Sequence, residues 1–199
     1  MPEPRLTERL IPRESSEYAC LDLVNSAFAH YLEPGEEALD RLPDRDWQAW
    51  FMARHDLALA QGAPFPLTRL RSARTLLRST LEEWAREGTV GPAAVARLDA
   101  GVRQVSLRNR VKPGPDQGAV VYTEPTKRDG ASLVAAVTVS AVILISTGQP
   151  ERLKICRNPN CSWMFFDDTL NRSKVYCSVQ PCGTLMRVRR HRAGKRARG

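Results

Sequence analysis

The chain has 199 residues, enough for one full domain with a small appendage. Apolar residues supply a packed core, but no apolar run approaches the roughly 18 residues of a membrane span, and the N-terminus carries no secretory pattern. A cytoplasmic protein is therefore expected. The net charge of +8 is segregated: residues 1–150 hold 18 Lys/Arg against 19 Asp/Glu, whereas residues 151–199 hold 12 against 3, a net of +9. A near-neutral body joined to a strongly basic end points to a polyanionic partner.

In chain order, residues 1–14 read as an irregular arm with three prolines. From Glu17 to Leu32 the apolar positions Cys20, Leu23, Val24, Ala27, Phe28 and Tyr31 recur at helical spacing, and Pro34–Gly35 ends the segment. A second helix is expected from Asp44 to Gln61, carrying Trp47, Trp50 and Phe51. A third runs from Leu67 to Glu87, with Gly88 as its C-cap. A fourth runs from Pro92 to about Gln104. Leu107–Arg108 and Ala119–Tyr122 flank a Pro/Gly turn and predict a short β-hairpin. Leu133 to Thr147 is apolar and long enough to favour a buried helix, although its β-branched residues dilute that reading. Thr138 and Ser140 interrupt its longest apolar stretch, which is too short to cross a membrane. Gly148–Gln149–Pro150 marks the expected boundary between domains 1–150 and 151–199.

Four of the five cysteines form two local pairs, Cys156-x4-Cys161 and Cys177-x4-Cys182, separated by fifteen residues. Two pairs and a spacer predict one structural zinc ion, held by Cys156, Cys161, Cys177 and Cys182. Four thiolates fill a tetrahedral shell, so no position is open for a catalytic water. Disulfides would need an oxidising compartment, and the x4 gap is looser than the common x2 gap. Cys20 stands apart as a small core residue. Ser162-Trp163-Met164-Phe165-Phe166-Asp167-Asp168 lies between the pairs and is expected to pack against the metal site; a base-stacking surface is the alternative. After Cys182 seven Lys/Arg and no acid follow to the end of the chain. They suit a basic helix that Gly194 ends, followed by a loose tail. The candidate DNA contacts are Arg172, Lys174, Arg187, Arg189, Arg190, His191, Arg192, Lys195 and Arg196. Four thiolates on one zinc ion sum to −2, so the end's +9 falls to about +7 with metal bound.

These residues resemble the CGNR zinc-finger proteins. Cys-x4-Cys-Ser-Trp-Met-Phe-Phe-Asp, Asn-Arg-Ser-Lys, Tyr-Cys-Ser-x3-Cys-Gly and Arg-x-Arg-Arg-His-Arg-Ala carry the likeness over residues 156–193. Cys20-Leu21-Asp22-Leu23-Val24-Asn25-Ser26 is similar to the opening of the ABATE domain that precedes this finger in bacterial proteins associated with stress-induced transcription regulation. The resemblance implies zinc on the four cysteines and a finger that binds double-stranded DNA. The namesake Cys-Gly-Asn-Arg reads Cys182-Gly183-Thr184-Leu185 here, which shifts DNA contact to Arg187, Arg189, Arg190 and Arg192.

The expected architecture is α+β: a predominantly helical N-terminal domain with a short β-hairpin, then a small treble-clef-like zinc module ending in a basic helix. No HExxH, G-x-S-x-G or glycine-rich phosphate loop occurs, so no catalysis is expected. The expected function is DNA-binding transcription regulation, with the body sensing a small-molecule effector or forming a homodimer. Asn25, His30, Tyr31, Trp47 and Trp50 are the candidate pocket residues. A zinc-stabilised protein-interaction adaptor or an RNA-binding protein is the alternative.

Overall fold

The computed structural model describes residues 17–28, 39–114, 118–159, 161–178 and 182–196. The N-terminal arm, His30, Tyr31 and the Pro34–Gly35 stop lie outside the described residues. Helices α1 (Ala19–Val24), α2 (Arg45–Arg54), α3 (Leu67–Glu87), α4 (Pro92–Val102) and α5 (Gly130–Thr147) make the body. Three two-stranded antiparallel sheets accompany them: β1 (Ala27–Phe28) with β2 (Leu39–Asp40), β3 (Leu107–Pro113) with β4 (Ala119–Pro125), and β5 (Leu153–Ile155) with β6 (Met164–Phe166). Helix α6 (Thr184–Arg196) closes the chain.

Helix α3 buries Leu70, Ala73, Leu77, Leu81 and Trp84 along one face. It stops at Gly88, whose φ of 73° is the left-handed conformation that glycine adopts without penalty. Helix α5 starts at Asp129, whose carboxylate accepts from the Ser132 amide at 2.9 Å. Its 18 residues carry no charge and have a mean hydropathy of 2.0, long and apolar enough by composition to cross a membrane. The helix thus reaches the length that the apolar stretch Leu133–Ile145, interrupted by Thr138 and Ser140, was expected to fall short of. Leu133, Val137, Ala141 and Leu144 of α5 are buried in the core, and the helix packs on α1, α3 and α4. Short α1 is enclosed on every side, with all six residues buried.

Two helices end earlier than their periodicity predicts. Helix α1 stops at Val24 instead of continuing to Leu32, because Ala27–Phe28 turns away to pair with Leu39–Asp40. Helix α2 stops at Arg54 instead of Gln61, and Asp56 has a φ of 50°. There the His55 ring closes on Asp22 at 2.8 Å, with both side chains almost fully buried. In each case a long-range partner overrides local propensity.

The finger does not begin a separate core at residue 150. Leu153 and Met164 from the β5–β6 hairpin are buried in the core of the body. The Asn25 side chain clamps the hairpin: its Nδ2 donates to the Met164 carbonyl at 2.7 Å, and its Oδ1 accepts from the Met164 amide at 2.8 Å. Arg78 of α3 donates to the Ser162 carbonyl at 2.6 Å. Replacing Asn25 with Ala leaves the buried Met164 N–H and C=O without partners. Each such group costs about 1–3 kcal/mol. Asn25→Ala should therefore lower stability by roughly 2–6 kcal/mol in urea unfolding while the native protein keeps its metal; an unchanged midpoint would contradict the clamp.

Candidate metal centre and basic helix

Strands β5 and β6 position the first cysteine pair. Cys156 directly follows β5, and its amide donates to the Trp163 carbonyl at 2.9 Å. A tight turn then closes through the Cys161 amide and the Asn158 carbonyl at 2.9 Å. The chain crosses back so that the Arg157 amide meets the Val175 carbonyl at 3.0 Å, which brings Cys177 alongside. Cys182 sits just before α6. All four cysteines are buried, and their sulfurs lie within 4.8 Å of one another.

The spacing suits zinc. Tetrahedral ligands at about 2.3 Å from the metal put sulfurs about 3.8 Å apart. Cys161 and Cys177 sulfurs are 3.9 Å apart, and those of Cys177 and Cys182 are 3.7 Å apart. The four residues can hold one zinc ion. Amide donors surround them: Asn158 Nδ2 approaches Cys182 Sγ at 3.4 Å, and the Cys177 amide approaches Cys156 Sγ at 3.5 Å. Such outer partners orient thiolates and offset their charge.

The four thiols compete for protons through their mutual hydrogen bonds. Hydrogen bonds from Cys161 and Cys177 pull Cys156 down to about 7. Bonds from Cys156, Cys161 and Cys177 hold Cys182 low, against its burial. Bonds from Cys156 and Cys182 push Cys161 up, and bonds from Cys156, Cys161 and Cys182 push Cys177 up. Metal replaces the shared protons with one dication and leaves all four sulfurs as thiolates.

The aromatic segment between the pairs serves two cores rather than an open stacking face. Met164 faces the body, while Phe165 packs on the cysteines with Trp163 and Tyr176 beside it. Asp167 is fully buried. Burial opposes its ionisation, but Lys154 and the Thr169 hydroxyl and amide outweigh that and hold its carboxyl well below the usual range. Asp167 also accepts from the Lys174 amide at 3.0 Å, so it fixes the loop that leads to Cys177.

The basic residues divide into two sets. Arg172 pairs with Glu151 at 2.5 Å, and Lys174 Nζ lies 5.5 Å from the centre of the Phe165 ring. On α6, Arg187, Arg190, His191 and Arg192 are exposed and Arg189 is half-buried. Arg190 donates to the Tyr176 hydroxyl at 3.3 Å. The helix runs through Gly194, which was expected to end it, as far as Arg196; Lys195 and Arg196 are therefore in its last turn instead of a loose tail. Thr184 and Leu185 form its first turn, exposed and half-buried respectively.

Of the candidate pocket residues, the three that are described, Asn25, Trp47 and Trp50, do not converge. Trp47 is buried and stacks on Phe51 with ring centres 4.8 Å apart, Trp50 is partly exposed beside it, and Asn25 is committed to Met164. Among the described residues, cavities lie at two other places in the fold. One, of about 490 Å³, separates α1 from the finger and has Asn25 on its wall. The other, of about 530 Å³, lies between α5 and the base of the β3–β4 hairpin and is mainly apolar, with Leu57, Val105, Leu107, Val139 and Ile143 among its lining residues. Trp47 and Trp50 line neither. The Asn25 clamp and the burial of Asp167 are not evident in the sequence. Their only signal was a polar residue directly after an apolar run, Leu23-Val24 before Asn25 and Met164-Phe165-Phe166 before Asp167.

Residues 152–195 match the model of the CGNR zinc finger. Residues 17–148 match the ABATE family, described as "Putative stress-induced transcription regulator". The chain belongs to the ABATE family. No curated protein matches it. Within this ABATE protein the finger match begins at Arg152, next to Leu153, which is buried in the core of the body.

Replacing one ligand tests the centre. Cys177→Ser should release zinc and unfold the outer part of the finger, because metal binding there is also folding energy. One zinc per chain retained in this variant would refute the four-ligand assignment.

Proposed function

We propose that this protein is a DNA-binding transcription regulator whose zinc finger presents α6 to duplex DNA. The observation that carries this reading is the placement of α6 directly after Cys182. Exposed Arg187, Arg190, His191 and Arg192 then stand on a helix anchored to the metal centre. Arg187, Arg190 and His191 are three and four residues apart and share one face. No acidic residue occurs from Gly183 to Gly199, so nothing on the helix offsets the charge offered to phosphates. We read the β5–β6 hairpin, the helix and the two cysteine pairs as a treble-clef-like arrangement, in which the hairpin carries the first pair and the helix follows the second.

Arg172 and Lys174 join this interface once DNA competes for them, since an exposed pair such as Arg172–Glu151 is worth about 1 kcal/mol at most. Lys195 and Arg196 extend it along the last turn. The family description supports transcription regulation, and the basic helix supports DNA as the partner. The metal centre acts as a structural staple in this reading: four thiolates leave no open position for hydrolysis. The body then carries the sensing of a small effector, or pairing with a second copy.

A salt titration tests the DNA reading. Three or four phosphate contacts give log K against log salt a slope of about −3 on duplex DNA. Replacing Arg187, Arg189 and Arg190 together with Ala should abolish duplex retention while zinc stays at one per chain. Unchanged retention would move the interface off α6, and no duplex affinity at low salt in the parent protein would favour a protein partner instead.

A further inference from the structure

We propose that the 490 Å³ cavity between α1 and the finger binds an organic ammonium ion, held by the aromatic faces of Tyr18, Trp163 and Phe166 and the carboxylates of Glu17, Asp22 and Asp168. This inference rests on the sensing half of the function proposed above and names its site and ligand class.

The chemistry of the walls carries the assignment. The volume lies within the range of small-molecule sites. Tyr18 from the body and Phe166 from the finger approach with ring centres 6.4 Å apart, inclined by 55°, so the aromatic walls come from both parts of the chain. Aromatic faces attract cations through their quadrupoles and do so more strongly where water is excluded. The charged residues on the lining are three acids and a single lysine, Lys174, a net of −2. Asp22 is almost fully buried and is held in place by His55. Glu17 and Asp168 are exposed at the mouth. Cys177 is also on the wall, and a zinc-bound set of four thiolates adds a further net −2 behind it.

A cation already rests on this surface: Lys174 Nζ over the Phe165 ring. An anion would meet three carboxylates and the thiolates. A neutral apolar compound would find a better match in the cavity beside α5. A compact quaternary or protonated amine satisfies both the aromatic faces and the acids. Because the two walls belong to the body and the finger, its occupancy bears directly on how the finger is held.

The test is calorimetric titration of the full-length, zinc-loaded protein with choline and with 3,3-dimethylbutan-1-ol, which has the same shape without the charge. Choline should bind saturably and about tenfold or more tightly than the alcohol. Asp168→Asn, at an exposed position, and Tyr18→Leu, on the body side of the cleft, should each weaken choline binding with zinc content unchanged. Lys174→Met removes the resident cation and should strengthen it. Absence of saturable binding by choline, equal binding of the two probes, preference for benzoate over choline, or indifference to Asp168→Asn and Tyr18→Leu would each overturn the assignment. Duplex retention measured without either compound reports on the DNA reading alone, so the two failures are distinguishable.

Discussion

Strand β6 alternates between two cores. Met164 enters the core of the body, where Asn25 holds both of its backbone polar groups; Phe165, one residue on, faces the four cysteines. The period of two in a β-strand makes this division unavoidable once the register with β5 is set. A finger of some forty residues buries too little apolar surface to fold unaided. Here it has two staples: metal on the outer side and the body on the inner side. The placement of the cysteines, the cleft beside α1 and the basic helix all depend on that shared strand.

The electrostatics follow the same division. Around the cysteines and the cleft the chain gathers thiolates, Asp167, Asp168, Asp22 and Glu17, whereas α6 carries cations and no acid. Buried Asp167 is balanced by Lys154 and by the Lys174 and Thr169 amides, so its charge organises a loop instead of acting at a distance. Arginines on α6 stand at the surface, where their charge remains available to a polyanion.

Much of this was legible in the sequence because the signals are local. The Leu67–Glu87 helix has unbroken periodicity and a glycine stop, and it spans those same residues in the structure. The cysteine pairs depend only on short turns and a spacer, and the cluster forms as spaced. Where long-range contacts decide, local periodicity misleads. Helix α1 stops because the chain turns into β1, beside an asparagine whose partner lies 139 residues away. Helix α2 stops where His55 meets Asp22, 33 residues earlier. The cleft is built from α1 and the finger, so no single stretch could reveal it. Gly194 shows the opposite error: a glycine with intrinsic freedom is carried along by the helix on either side of it.

The central claim is that β5–β6 belongs to the body while the residues beyond it depend on metal. Hydrogen exchange before and after zinc is stripped by a chelator tests this directly. The account predicts that amides of Leu153–Ile155 and Met164–Phe166 keep their protection without metal, while amides from Val175 to Ser178 and along α6 lose theirs. Loss of protection across β5–β6 together with α6 would show that the finger folds as one metal-dependent unit and would contradict the account.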